Sequence, residues 1–178
     1  KLGDPTAKHE GRLTLNPIPH LDLLGSFLLP GLFLVSGAPF LLGWAKPVPV
    51  NPHYFSNPPK GMMWTALAGP LSNLGLAFIF SLVLGLGLAA PLSTSFKSLF
   101  LQIIQGGIYL NIILAVFNLL PIPPLDGSKI CVPFLPPSAQ HHFLNLEPFG
   151  FVIIFALAYF NLLTPLLLII VKPLWLFF

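Results

Sequence analysis

Charge is scarce in this sequence. Asp, Glu, Lys and Arg make up 7% of its 178 residues, five acidic and eight basic, for a formal net charge of +3. They are scattered through loops and ends. No basic stripe interleaved with aromatics appears, which leaves nucleic-acid binding without support. Cysteine is nearly missing as well. Cys131 alone excludes an internal disulfide and an all-cysteine zinc site, and a lone thiol with no base beside it reads as packing. The residues after Lys1 are polar and do not read as a cleavable signal peptide. The helical zinc motif His-Glu-x-x-His is absent too. His9-Glu10 comes nearest, but the fourth position after His9 is Leu13, and Gly11 breaks helical continuity.

What the chain has in abundance is apolar length. It is 55% hydrophobic, with a mean hydropathy of +0.87. Several apolar runs approach twenty residues, which predicts an all-α polytopic membrane protein. Residues 1–22 form a polar loop punctuated by Asp4-Pro5, Gly11, Asn16-Pro17 and Pro19. The run 23–43 carries Gly25, Pro30, Gly31, Gly37 and Pro39, so it fits either a kinked span or a re-entrant segment. At 44–52 alternating prolines suit a short extended, β-like stretch, whose edge could pair with an unfolded peptide. An interfacial loop with Trp44 at the headgroups fits equally. Apolar runs follow at 61–90, 99–120 and 149–171, giving about four transmembrane or re-entrant segments in a single membrane domain spanning 1–178. His141-His142, on the polar connection 133–148, make a poor ligand pair and read as surface. Lys172 and Trp175 read as interfacial anchors.

One stretch organises the rest: Phe117-Asn118-Leu119-Leu120-Pro121-Ile122-Pro123-Pro124-Leu125-Asp126-Gly127. Three prolines stop an apolar helix and force extended backbone, which survives at membrane depth only inside protein or beside a wet cavity. A carboxylate there is a functional-site hypothesis. The competing reading is a plain Pro-Leu-Asp-Gly turn outside the bilayer, with Gly127 at positive φ. Upstream, Ala68-Gly69-Pro70-Leu71-Ser72-Asn73 combines small residues, a helix-opening proline and an amide. By itself Asn73 reads more readily as an interhelical hydrogen bond than as a catalytic group. Gln102, Gln105, Asn111 and Asn118 predict a wetter or protein-facing side of the third run.

Four pieces, in order and covering most of the chain, resemble the site-2 protease family of intramembrane zinc metalloproteases, in its compact bacterial and organellar form. They are Lys-Leu-Gly-Asp-Pro-Thr-Ala-Lys through Leu-Asn-Pro-Ile-Pro-His-Leu-Asp, then Gly-Trp-Ala-Lys-Pro-Val-Pro-Val-Asn-Pro, Ala-Gly-Pro-Leu-Ser-Asn, and the Asp-Gly motif. The resemblance implies Asp126 as the third protein ligand of a catalytic zinc and Asn73 as the polar group that binds the scissile peptide. It makes Pro121 and Gly127 the shapers of the break. Family members carry His-Glu-x-x-His just before the Lys-Leu-Gly-Asp stretch, supplying two ligands and the base, and this chain has none. The opening without an initiator methionine predicts an amino-terminally truncated part of a larger domain. A zinc is then expected in the complete enzyme and not in this chain alone, which should be inactive by itself.

The implied substrate is a membrane-embedded peptide, in a bacterial inner or organellar membrane. The alternative is an inactive, protease-derived scaffold packed against neighbouring transmembrane subunits. His20-Leu21-Asp22 reads as structural rather than ligating. Three full crossings before Asp126 would put it on the side opposite the opening loop. Either the run 23–43 is therefore re-entrant, or Asp126 lies deep on a broken helix. Two placements are expected: Asn73 facing Asp126 across a helix interface, and Asp126 in a sheltered polar cavity.

Overall fold

The computed structural model describes residues 2–14, 16–37, 43–89, 91 and 93–178. Pro39, and Ala90 at the end of the second apolar run, lie outside them. The chain divides into two compact units, Lys1–Gly61 and Met62–Phe178. Among the described residues there are helices and turns and no strand. The β-like expectation for 44–52 is corrected accordingly: Pro47 and Pro49 carry no N–H, and single bonds to the loop around 20–26 replace a ladder.

The first unit is a polar knot with an apolar helix projecting from it. Asp4 accepts from the Thr6 backbone N–H at 2.9 Å and its hydroxyl at 2.5 Å, and from the Asn51 N–H at 2.8 Å. Two motifs nearly fifty residues apart are thus one structure. Gly3, at φ +103°, lets the chain pass the Tyr54 carbonyl, which a Cβ would meet at 3.2 Å. Arg12 is buried, its guanidinium donating to the carbonyls of Pro19 and Pro47. Asp22 accepts the Gly25 N–H at 2.7 Å and so caps the helix that follows.

That helix has a wide-turned start, Leu24–Leu28, and continues as α2, Leu29–Ser36, until Gly37 turns left-handed at φ +66°. Leu24–Ser36 holds 13 residues, about 20 Å, short of the ~30 Å of hydrocarbon in a bilayer. The chain then comes back. The Trp44 N–H donates to the Gly25 carbonyl at 3.0 Å, the Lys46 N–H to the His20 carbonyl at 2.8 Å, and the Ser26 hydroxyl to the Trp44 carbonyl at 3.0 Å. Gly25 and Gly43 permit this contact, since a Cβ on Gly43 would lie 2.6 Å from the Gly25 carbonyl oxygen. The run leaves and re-enters at one end. Gly25 and Trp44, near the two ends of the run, are neighbours, as the re-entrant reading expects.

The second unit is built on α3, Pro58–Ala89, from Met62 onward, and on α4, Thr94–Asn118. They run antiparallel: Gly87 lies against Phe100, and Gly107 against Phe80. On α4 the buried residues Ile104, Ile108, Asn111, Ile112, Ala115 and Val116 recur at helical spacing and make one face. Ala77 of α3 and Val171 close the core against it. Asn111 lies on that face and donates to the Gly107 carbonyl at 2.8 Å. Gln102 and Gln105 point the other way and are exposed, so the expectation of one shared wet side does not hold.

After α4 come the short α5, Asp126–Cys131, and α6, Pro137–Leu144, then α7, Gly150–Tyr159, and α8, Leu163–Phe177. The expected single span 149–171 is broken. Asn161 adopts φ +55°, its N–H donates to the Ala158 carbonyl, and the Leu162 N–H reaches back to Leu157, which closes α7 in the Schellman manner. Among the described residues three stretches are long and apolar enough to cross a membrane: Pro58–Ala89, Thr94–Asn118 and Pro137–Tyr159. The last runs through α6 and α7 and is interrupted between them.

Lys172 and Trp175 are not at a helix-bundle end. Trp175 meets Tyr109 edge to face at 5.7 Å, nine residues above Asn118 on α4.

Candidate metal centre

The site is the broken end of α4. Its last turn tightens as Leu119 donates to Ala115 and Leu120 to Phe117, and then helix ceases for residues 119–125. Prolines at 121, 123 and 124 remove the donors a continuing helix would need. The Ile122 N–H turns back to Leu120 at 2.8 Å, and the Leu125 N–H to Ile122 at 2.9 Å around a cis Pro123-Pro124 bond. Helix resumes at Asp126. Buried Ser128 fixes this start, its N–H and hydroxyl both donating to the Leu125 carbonyl, at 3.1 and 2.7 Å.

Two glycines clamp the break, neither at positive φ. A Cβ on Gly127 would lie 2.2 Å from the Leu119 carbonyl oxygen and 2.3 Å from that of Leu120. On Gly150 it would lie 1.8 Å from the Pro123 carbonyl oxygen. Gly127 is needed for close approach of backbones, and the positive-φ turn reading is corrected. Gly150, opening α7, is a structural residue that sequence reasoning missed; its Phe-Gly-Phe setting carries no turn signal.

Asp126 is half-buried, with its carboxylate directed at α3. Its Oδ2 stands 3.0 Å from where a Cβ on Gly69 would be. Gly69 is the second residue that sequence reasoning underused: the Ala-Gly-Pro pattern signals close helix approach without saying that a carboxylate fills the gap. Asn73, half-buried, is one turn further along the same face of α3. No hydrogen bond joins Asn73 to Asp126 among the described residues. Burial pushes the Asp126 carboxyl above its ordinary range, and the charge of Lys129 one turn on opposes that rise.

No group of three His, Cys, Asp or Glu side chains converges among the described residues. Asp126 has the chemistry of one hard-oxygen ligand in a sheltered position. His20 and Asp22 belong to the other unit. There Asp22 is committed to capping, and the His20 ring lies 3.4 Å from the Thr14 carbonyl. His141 and His142 are exposed on α6.

No family model and no solved structure matches the chain. Over 172 residues it is 44% identical to the "Putative zinc metalloprotease YwhC" of Bacillus subtilis, the match covering 93% of this chain and 71% of that protein. It is 34% identical over 167 residues to the likewise named Rip2 of Mycolicibacterium smegmatis, covering 94% of this chain and 60% of Rip2. To MJ0611 of Methanocaldococcus jannaschii, also so named, it is 40% identical over 99 residues, 54% of this chain and 45% of that one. Identity of this order over nearly the whole chain, on a helical framework able to cross a membrane, establishes kinship. The chain is a multi-pass membrane protein that belongs to the site-2 protease family, with the zinc metalloproteases of the YwhC and Rip2 type.

Proposed function

We propose that this chain supplies the aspartate half of the active site of an intramembrane zinc protease of the compact bacterial type, acting on membrane-embedded peptides. The observation that carries the reading is the placement of Asp126. A half-buried carboxylate opens a helix immediately after a proline break and lies against a glycine of α3, with Asn73 one turn away on that helix. Asp126 would be one metal ligand. A zinc held there with two further ligands would supply a polarised water for attack on a peptide carbonyl; no group of three His, Cys, Asp or Glu side chains forms among the described residues. The chain's own contribution is positional. The break sets the carboxylate and Gly69 leaves it room; the Asn73 amide would donate to a peptide carbonyl.

The test uses the full-length protein reconstituted in vesicles with a peptide carrying a single transmembrane segment. Asp126→Ala should abolish chelator-sensitive cleavage, and Asn73→Ala should lower it while leaving zinc bound. Full cleavage by Asp126→Ala would refute the reading.

A further inference from the structure

Gly150 opens α7 at φ −59° and ψ −41°, ordinary helical values that any residue adopts. Its backbone conformation therefore gives no reason for glycine. It is buried while Phe149 and Phe151 on either side are exposed, so of these three positions the inward one carries no side chain. What it faces is the break after α4. A Cβ there would lie 1.8 Å from the Pro123 carbonyl oxygen, 2.4 Å from its carbonyl carbon and 2.6 Å from Pro124 Cδ. Real Cβ contacts stay beyond 3.0 Å, so any side chain at 150 would drive the Pro123 carbonyl and α7 at least 1.2 Å apart (3.0 minus 1.8).

That shift has a short path to Asp126, three residues on. The rings of Pro123 and Pro124 fix φ at both, which leaves the break few torsions to absorb a push. The Leu125 N–H is tied back to the Ile122 carbonyl at 2.9 Å, and the Leu125 carbonyl takes both the N–H and the hydroxyl of buried Ser128, at 3.1 and 2.7 Å. Gly127 leaves no slack either, because its own Cβ position lies 2.2 Å from the Leu119 carbonyl oxygen. The break shifts as one piece, and the carboxylate shifts with it, away from the gap beside Gly69.

We infer that Gly150 is a positioning residue for Asp126: by admitting the Pro123 carbonyl to the start of α7, it holds the carboxylate against Gly69 of α3, in the place where it binds metal. The metal part of this inference rests on the function proposed above, and the placement part does not.

Two readouts in the full-length protein separate the parts. The first needs no metal. In a background free of other cysteines, Gly69→Cys and Asp126→Cys are oxidised with diamide and the disulfide is followed by mass spectrometry; Oδ2 of Asp126 stands 3.0 Å from a Cβ on Gly69, within reach of such a bond. Adding Gly150→Ala should slow closure on the order of 10²-fold, as a misplacement near 1 Å does at a reacting centre. The second readout is the zinc affinity of the protein without those cysteines, titrated against a chelator. Gly150→Ala should weaken it about tenfold to a hundredfold, the range for residues that orient a ligand. Gly87→Ala is the structural control. Its Cβ would lie 2.4 Å from the Phe100 ring, about 27 Å along α3 from Gly69, and it should lower the melting temperature while leaving both readouts alone. If Gly150→Ala does not fold, Ile154→Ala takes its place: it loosens the same buried face of α7 one turn on without adding an atom, and should give a smaller loss, about tenfold, in both readouts. Crosslinking at the parent rate in these variants would overturn the placement, and so would an equal loss in Gly87→Ala. Slowed crosslinking with undiminished zinc would overturn the metal part, and if Asp126→Asn also kept its zinc the function proposed above would fall with it.

Discussion

Gly127→Ala tests whether the break after α4 is built for one backbone path. The added Cβ would fall 2.2 Å from the Leu119 carbonyl oxygen and 2.3 Å from that of Leu120, where real contacts stay beyond 3.0 Å, so the gap must open by at least 0.8 Å (3.0 minus 2.2). Neither neighbour can yield cheaply, because both are backbone atoms and the Leu119 and Leu120 N–H groups are fixed by the last turn of α4. Forced overpacking of this kind costs about 1–3 kcal/mol. The displacement also falls on Asp126, the preceding residue, and a misplacement near 1 Å at a reacting centre costs on the order of 10²-fold in rate. Gly75→Ala is the matched control. Nothing lies within 4 Å of its Cβ, and within α3 alanine is favoured by about 1 kcal/mol. Thermal unfolding and peptide cleavage of the full-length protein in detergent should show Gly127→Ala destabilised and nearly inactive, and Gly75→Ala unchanged or slightly more stable. A Gly127→Ala protein as stable and as active as the parent would refute the clamp argument.

Two further perturbations probe the scaffold. The Asp4 carboxyl is held below its ordinary range, chiefly by the Thr6 hydroxyl and with help from the Thr6 and Asn51 N–H groups. Its contribution is present above the ordinary carboxylate value and lost as pH falls through the depressed one. The melting difference between parent and Asp4→Asn should therefore shrink below about pH 4, and a difference constant down to pH 2.5 would contradict the network. At Asn161, φ +55° makes a β-branched side chain strained, so Asn161→Val should destabilise by about 1–2 kcal/mol while Asn161→Gly is tolerated; equal unfolding of the two variants would argue against the left-handed closure of α7.

Much of this architecture is legible in the sequence, because apolar length and proline position are strong local signals. The prolines at 121, 123 and 124 stop α4 where they predict, and the glycine- and proline-laden run 23–43 turns back. What the sequence hides is contact. Nothing in Asp4-Pro5-Thr6 announces that its carboxylate fastens Asn51, nor that buried Arg12 spans to Pro47. Gly150 reads as an ordinary apolar-helix residue until the Pro123 carbonyl is seen against it. Asn161 does carry a signal, an αL-tolerant residue four positions before Pro165, but an unbroken apolar background masks it. Lys172-Pro173-Leu174-Trp175 looks like an interfacial anchor because composition cannot show that α8 lies beside the middle of α4.

On the proposed function Asp126 holds metal in a gap left by Gly69. Zinc content per chain, measured by elemental analysis of purified full-length protein alongside its melting temperature, tests this most directly. Asp126→Asn should lose most of the zinc. Gly69→Ala, whose Cβ would stand 3.0 Å from Oδ2, should also lose zinc while melting no lower than the parent, since helix propensity favours alanine there. Undiminished zinc in both variants would contradict the account.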